Sequence, residues 1–214
     1  MGHMRVDHVS YAAEHDGLHA TAERLAKLIG VTPVDGGVHP RFGTRNVILP
    51  LARERYIEVV EVLDHPASDK APFGQAVRAR SENGGGWLGW VVRVDDIAAV
   101  EKRLGRESAS GYRHTPDGRE LRWRQLGVRG LICDPQLPFY IQWEDDTRHP
   151  STDGATDVSL SGMTIAGDPM RVRHWLGLPD DYVPQTLEFS FVAPHGNPGV
   201  LAVTFDTPEG RVTV

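Results

Sequence analysis

The chain has little cysteine and no long apolar run. Its 214 residues include one cysteine, Cys133, so an internal disulfide framework is excluded. No apolar stretch is long enough to cross a membrane, and no charged-then-apolar signal segment is present. The chain also has no excess of basic residues. It contains 23 Lys and Arg residues and 29 Asp and Glu residues, which gives a net charge of −6. We therefore expect a cytoplasmic protein without nucleic-acid or membrane partners.

A repeated order of elements is present instead. The spacing of Leu18, Leu25 and Ile29 predicts a helix over 18–29, and alternating segments before and after it predict strands. A second copy of this order begins at Trp87, and a third, shorter one begins at Ser159. We predict an α+β fold in which tandem βαβββ modules form a cupped mixed sheet with helices outside. The predicted units are 5–63 and 87–144, which pair within 5–144, and a smaller third βαβββ-like unit at 157–214, with polar linkers between units.

Two polar residues interrupt apolar strand faces. His8 lies in Val-Asp-His-Val-Ser-Tyr, and Glu58 lies in Tyr-Ile-Glu-Val-Val-Glu-Val. Because alternate strand residues share a face, both side chains could point into one cavity. A buried carboxylate needs a partner, so the pair predicts either half of a metal site or a proton-transfer pair with Glu58 and His8 as catalytic residues.

Further candidates lie near this pair in the predicted sheet. The segment from Gly36 to Asn46 is a Gly-rich polar loop that leads into a strand, and it offers His39, Thr44 and Asn46 as a pocket rim. The alternative is a turn in which Thr and Asn satisfy backbone groups. Trp90 could stack on a substrate or pack in the core.

Three motifs make the chain resemble the vicinal oxygen chelate superfamily, which includes glyoxalases, extradiol dioxygenases and bleomycin-resistance proteins. They are Asp7-His8-Val9, Tyr56-Ile57-Glu58-Val59, and Asp134-Pro135 followed by Phe139-Tyr140-Ile141-Gln142-Trp143. The run Gly36-Gly37-Val38-His39-Pro40-Arg41-Phe42-Gly43-Thr44-Arg45-Asn46 is most similar to bacterial "glyoxalase-like domain" proteins.

The resemblance implies a pocket in which a divalent metal (Zn, Ni, Mn, Fe or Co) is held by residues of both modules. His8 and Glu58 match two ligand positions, and His39 is a weak third candidate. The second module departs from the pattern, because Gly89 and Gln142 stand where a histidine or glutamine and a glutamate are expected. A bound metal and a metal-free polar pocket therefore both remain open, and we expect Gln142 to border the substrate.

The resemblance leaves two functions open. The first is an enzyme, a lyase, isomerase or dioxygenase that acts on a small oxygenated metabolite. The second is a metal-free protein that binds or sequesters a drug or metabolite, as bleomycin-resistance proteins do. A small-molecule ligand is expected in either case, and a homodimer is the expected assembly if the third unit pairs with another module.

Overall fold

The computed structural model describes residues 4–144, 146–154, 156–179, 187–193 and 195–214. Within these residues, no helix is both long and apolar enough to span a lipid bilayer. The first repeat forms a strand, a helix and three strands, and its helix ends at Gly30 in a left-handed conformation (φ 76°). These elements are β1 (Arg5–Ala12), α1 (Leu18–Ile29), β2 (Val34–His39), β3 (Thr44–Leu51) and β4 (Arg55–Val62).

The connection after the first repeat is helical, although the sequence predicted a polar linker there. It forms α2 (Pro66–Lys70) and α3 (Pro72–Glu82), and each helix has proline at its start, where the missing N–H costs no helical hydrogen bond. Phe73, Ala76 and Val77 of α3 are buried against the apolar interior of the first two modules. The prediction was wrong because this apolar stripe is narrow and lies among many polar residues.

The second repeat has the same order of elements as the first, and a third unit follows it. A short 3₁₀ helix (Pro150–Asp153) lies between them. The second repeat consists of β5 (Gly86–Arg93), α4 (Ile97–Leu104), β6 (Ala109–His114), β7 (Glu120–Leu126), α5 (Gly130–Cys133) and β8 (Phe139–Trp143). The third unit consists of β9 (Ser159–Ala166), α6 (Pro169–Leu176), β10 (Glu188–Val192), β11 (Gly199–Thr207) and β12 (Gly210–Thr213).

The eight strands of the first two repeats close into a barrel with the order β1-β4-β3-β2-β6-β7-β8-β5. Within each repeat the first strand runs parallel to the last, and β1 and β5 join the repeats in antiparallel pairing. The other seam pairs Val38 of β2 with His114 of β6. A Cβ at Gly37 would lie 1.8 Å from the backbone oxygen of His114, so this seam requires glycine. The predicted α+β fold with βαβββ modules is confirmed.

The third unit packs on the outside of the barrel. Its strand order is β10-β9-β11-β12, which differs from the order within the first two repeats, although the elements follow one another along the chain in the same way. Trp90 of β5 packs against Phe189 at a ring distance of 5.4 Å, and Met163 and Phe205 are buried in the same core. A second, smaller core lies inside the barrel, where the polar residues discussed next interrupt it.

Candidate active site

Glu58 of β4 is the buried centre of the polar cluster inside the barrel. It is only 5% exposed, and both carboxylate oxygens accept hydrogen bonds. Asn46 Nδ2 donates to Oε1 over 2.8 Å, and Ser10 Oγ donates to Oε2 over 3.0 Å. Burial alone would raise the pKa of Glu58, but nearby His39 and His8 and these two hydrogen bonds together lower it. Glu58 is therefore a carboxylate at neutral pH.

His8 of β1 faces Glu58 and is held from behind by Asp7. Its Nδ1 lies 2.9 Å from Asp7 Oδ2, and its Nε2 lies 3.9 Å from Glu58 Oε2. The ring of Tyr56 stacks on the imidazole with the centroids 4.4 Å apart. Because an ionised carboxylate only accepts hydrogen bonds, Nδ1 of His8 carries a proton, and Nε2 faces the cavity.

Asp7 is completely buried and bridges two histidines. Its second oxygen, Oδ1, lies 3.1 Å from Nε2 of His149 and 3.4 Å from Nε1 of Trp143, while Arg93 Nε approaches it to 3.6 Å. Burial would raise the pKa of Asp7, but the hydrogen bonds from His149 and His8 outweigh it and hold that pKa far below its usual value. Asp7 is thus an ionised anchor for His8.

His39 approaches Glu58 from the other side. Its Nδ1 lies 3.0 Å from Thr44 Oγ1, and its Nε2 lies 3.7 Å from Glu58 Oε1 and 3.4 Å from Asn46 Nδ2. Burial lowers the pKa of His39 to about 4, although the charge of Glu58 opposes this. His39 is therefore neutral at pH 7. Since the Asn46 amide nitrogen is a donor, the unprotonated nitrogen of His39 is Nε2.

Arg113 reaches this cluster from β6 of the second repeat and was not predicted from the sequence. Its Nη1 donates to Asn46 Oδ1 over 3.0 Å and to the backbone oxygen of Gly36 over 2.7 Å. A Cβ at Gly36 would lie 2.1 Å from Asn46 Oδ1 and 2.3 Å from Arg113 Nη1, so glycine makes room for this contact. Arg113 fixes the orientation of the amide and thereby the donor that Asn46 turns toward Glu58.

Aromatic rings form most of the remaining cavity wall. The cavity is small, with about 30 Å³ of space that admits the centres of water-sized molecules. Phe73 of α3 and Phe42 lie at its mouth, since both also line the neighbouring surface groove. The aromatic residues that line the cavity are Phe42, Tyr56, Phe73, Trp123, Phe139 and Trp143.

Two predicted site residues lie elsewhere. Gln142 points out of the barrel, where its Oε1 accepts a hydrogen bond from the backbone N–H of Ile97 over 2.8 Å, whereas its neighbours Ile141 and Trp143 line the cavity. Trp90 is buried in the outer core, and its Nε1 donates to the backbone oxygen of Gln136. The structure thus brings His8, His39, Thr44, Asn46 and Glu58 together and leaves Gln142 and Trp90 outside.

An apolar group occupies one of the two positions at which the resemblance implies a metal ligand from the second repeat. A Cβ at Gly89 would lie 2.4 Å from Leu131 Cδ2, so a larger side chain there would have to displace this leucine. Among the described residues, no three His, Cys, Asp or Glu side chains form a group that could hold a metal ion. The nitrogens of His8 and His39 approach different oxygens of Glu58, and the guanidinium of Arg113 already places a positive charge beside Asn46. The donor atoms present here, two imidazole nitrogens and one carboxylate, all come from the first repeat, and the second repeat adds none at Gly89.

Comparisons with known proteins agree with this architecture. A family model described as "Glyoxalase-like domain" matches residues 6–178. The crystal structure of a hypothetical protein from Staphylococcus aureus is 17% identical, with a TM-score of 0.62, and the match covers 99% of this chain and 84% of that chain. Methylmalonyl-CoA epimerase from Mycobacterium tuberculosis is 16% identical, with a TM-score of 0.42, and the match covers 65% and 86% of the two chains. Comparison with curated proteins finds no match.

Proposed function

The chain belongs to the family of glyoxalase-like domain proteins, and we propose that it is an enzyme that moves a proton at a carbon atom next to a carbonyl group. The substrate would be a small oxygenated molecule held in the barrel cavity. The observation that carries the proposal is the carboxylate of Glu58 between the Nε2 atoms of His8 and His39. These separations of 3.9 and 3.7 Å are too long for direct hydrogen bonds.

Glu58 is the proposed base. It takes the proton from the substrate carbon, the electrons of the C–H bond form a C=C bond, and the carbonyl oxygen gains the negative charge. Arg113 lines the same cavity, and its positive charge would stabilise that oxygen in surroundings that exclude water. Return of the proton to the same or a neighbouring atom gives an isomer, and loss of a leaving group gives a lyase reaction.

One histidine lies on each side of Glu58, and one of them is the proposed second proton acceptor. Asp7 would stabilise the imidazolium if His8 takes a proton, because the buried carboxylate bonds to the opposite ring nitrogen. Behind His39, Nδ1 contacts the hydroxyl group of Thr44, which carries no charge. We therefore assign the second acid/base role to His8 and a positioning role to His39.

Binding without turnover is the second candidate. The six aromatic side chains of the cavity wall favour it, because such a wall can hold a flat apolar molecule without any reaction. The polar cluster would then serve only to orient the ligand. The two candidates differ in one measurable property, which is proton exchange between the ligand and the solvent.

Proton exchange in D₂O tests the proposal without knowledge of the natural substrate. The protein would be incubated with a panel of small 2-oxo acids, hydroxyketones and acyl thioesters, and the replacement of C–H by C–D would be followed by NMR. We expect exchange in at least one class and a loss of about 10²–10⁴-fold in E58Q. The matched control is E61Q, on the same strand, whose carboxylate pairs with Arg45 at the surface.

Two results would contradict the proposal. Exchange that is equally fast in E58Q would remove Glu58 as the base, and tight binding of panel compounds without any exchange would favour the binding protein. The purified protein would also be analysed for Zn, Ni, Mn, Fe and Co. A stoichiometric metal that is lost in H8A would replace the metal-free mechanism.

A further inference from the structure

A groove lies on the surface beside the mouth of the cavity. It shares Phe42, Phe73 and Gln125 with the cavity wall, so these three side chains form the partition between the two spaces. The groove contains about 1080 Å³ of space free of protein atoms and open to solvent, which is much more than the cavity. A molecule that displaces these side chains would reach from the cavity into the groove.

Three arginines line this groove. Arg41 is held by the backbone oxygen of Ser110, to which its Nη1 donates over 2.8 Å, and Arg106 stacks over the ring of Trp175 at 5.4 Å. Arg129 follows Val128 and precedes α5, with its side chain exposed. Among the described residues, Glu107 is the single acidic one in the groove wall, so this wall carries a positive excess in a chain of net charge −6.

These arginines differ from most others in the chain by their lack of carboxylate partners. Among the described residues, none of the three lies within ion-pair distance of an acidic side chain. Ten other arginines do form such pairs, among them Arg122 with Glu120 and Arg211 with Asp206. Guanidinium groups that line a common groove and have no carboxylate partner among the described residues suit an external anion.

We propose that the groove binds the anionic end of an elongated substrate whose reacting carbonyl end lies in the barrel cavity. The anionic end is a multiply charged phosphate or polycarboxylate, because three guanidinium groups offer more charge than one carboxylate needs. Phe42, Phe73 and Gln125 would contact the middle of the molecule. This inference rests on the proposed function for the position of the reacting end, whereas the binding of the anion does not depend on any reaction.

Calorimetric titration with inorganic pyrophosphate at low ionic strength tests the anion site directly, and citrate tests the polycarboxylate alternative. We expect one of the two to bind the wild-type protein, and R41Q, R106Q and R129Q each to weaken that binding by about tenfold, as for loss of a charge-assisted hydrogen bond. The matched control is R211Q, which removes an exposed arginine from the third unit. No binding of either anion, or equal weakening by R211Q, would overturn the proposal.

Exchange in D₂O separates this inference from the proposed function. E58Q should lose proton exchange and still bind the anion. Anion binding to the groove can therefore be tested even if Glu58 is not the base. If exchange occurs, R129Q should slow it at subsaturating concentrations of carbonyl compounds that carry an anionic tail, and should leave compounds without the tail unaffected. Equal effects on both kinds of compound would place the anionic end elsewhere.

Discussion

Replacement of Asp7 by asparagine is the most direct test of how the site is built. Asp7 is completely buried, and its two oxygens meet His8 Nδ1 at 2.9 Å and His149 Nε2 at 3.1 Å. Asparagine keeps the shape but removes the charge and turns one acceptor into a donor. A hydrogen bond to a charged group contributes about 1.5–3 kcal/mol, so the change should cost about 2–4 kcal/mol in the free energy of unfolding. For a chain of this length that corresponds to a fall in Tm of about 5–15 °C.

The same change should affect activity more than stability. Without the carboxylate, Nδ1 of His8 loses the acceptor that holds the proton there, and Nε2 is no longer kept free to accept one. Proton exchange that depends on His8 should then fall by about 10²-fold or more. The measurements are thermal unfolding followed by circular dichroism and the exchange assay in D₂O.

The pH dependence gives an independent check. The pKa of Asp7 in the folded protein lies below its usual value of 3.8, so ionised Asp7 stabilises the fold above about pH 4, and this contribution is lost only at lower pH. The contribution of ionised Asp7 to the stability difference between D7N and the wild type should therefore shrink below about pH 4. D206N, at an exposed aspartate of the third unit, is the control. A D7N protein as stable and as active as D206N would refute the reasoning.

Three further predictions follow from the same geometry. G36A should disturb the contact between Arg113 and Asn46 and slow exchange, with a loss of about 1–3 kcal/mol in unfolding free energy; a stability and exchange rate equal to wild type would contradict it. Wild-type stability, measured by urea unfolding, should fall as the pH drops from 6.5 towards 4, because the pKa of His39 is lowered from 6.5 to about 4 and the fold favours its neutral form; H39Q should flatten this slope. F73A should lower the unfolding free energy by about 3 kcal/mol and speed ligand entry, measured by stopped-flow fluorescence, if Phe73 guards the mouth.

Local patterns predicted most of the helices and strands. The helix at Leu18–Ile29 has its apolar residues at helical spacing and a glycine after its end, so both its type and its bounds follow from the sequence. It is harder to predict which residues of a strand point into the barrel. Gln142 and Ile141 are adjacent, and the pairing of β8 with β5 and β7, which the sequence does not display, turns Ile141 inward and Gln142 outward.

Distant contacts were missed for a different reason. Arg113, Phe73 and His149 lie 55, 15 and 91 residues after Glu58, and nothing in their local surroundings marks them as members of one site. A signal was available for Phe73, since Pro72 begins a helix whose apolar residues recur at positions 73, 76 and 77. His149 lies at the start of a short 3₁₀ helix in a segment that was predicted to be a linker.

The sequence by itself indicated the family, the βαβββ order and the meeting of His8 and Glu58 in one cavity. Strand alternation is a local property that a single segment reveals, so the shared face of these two residues could be predicted. Tertiary structure alone decided what surrounds that pair. Closure of the barrel brings Arg113 into contact with Asn46 and places Leu131 beside Gly89. The segment after the second repeat places His149 against Asp7. Those contacts depend on which strands become neighbours, and strand neighbours are chosen by packing over the whole fold.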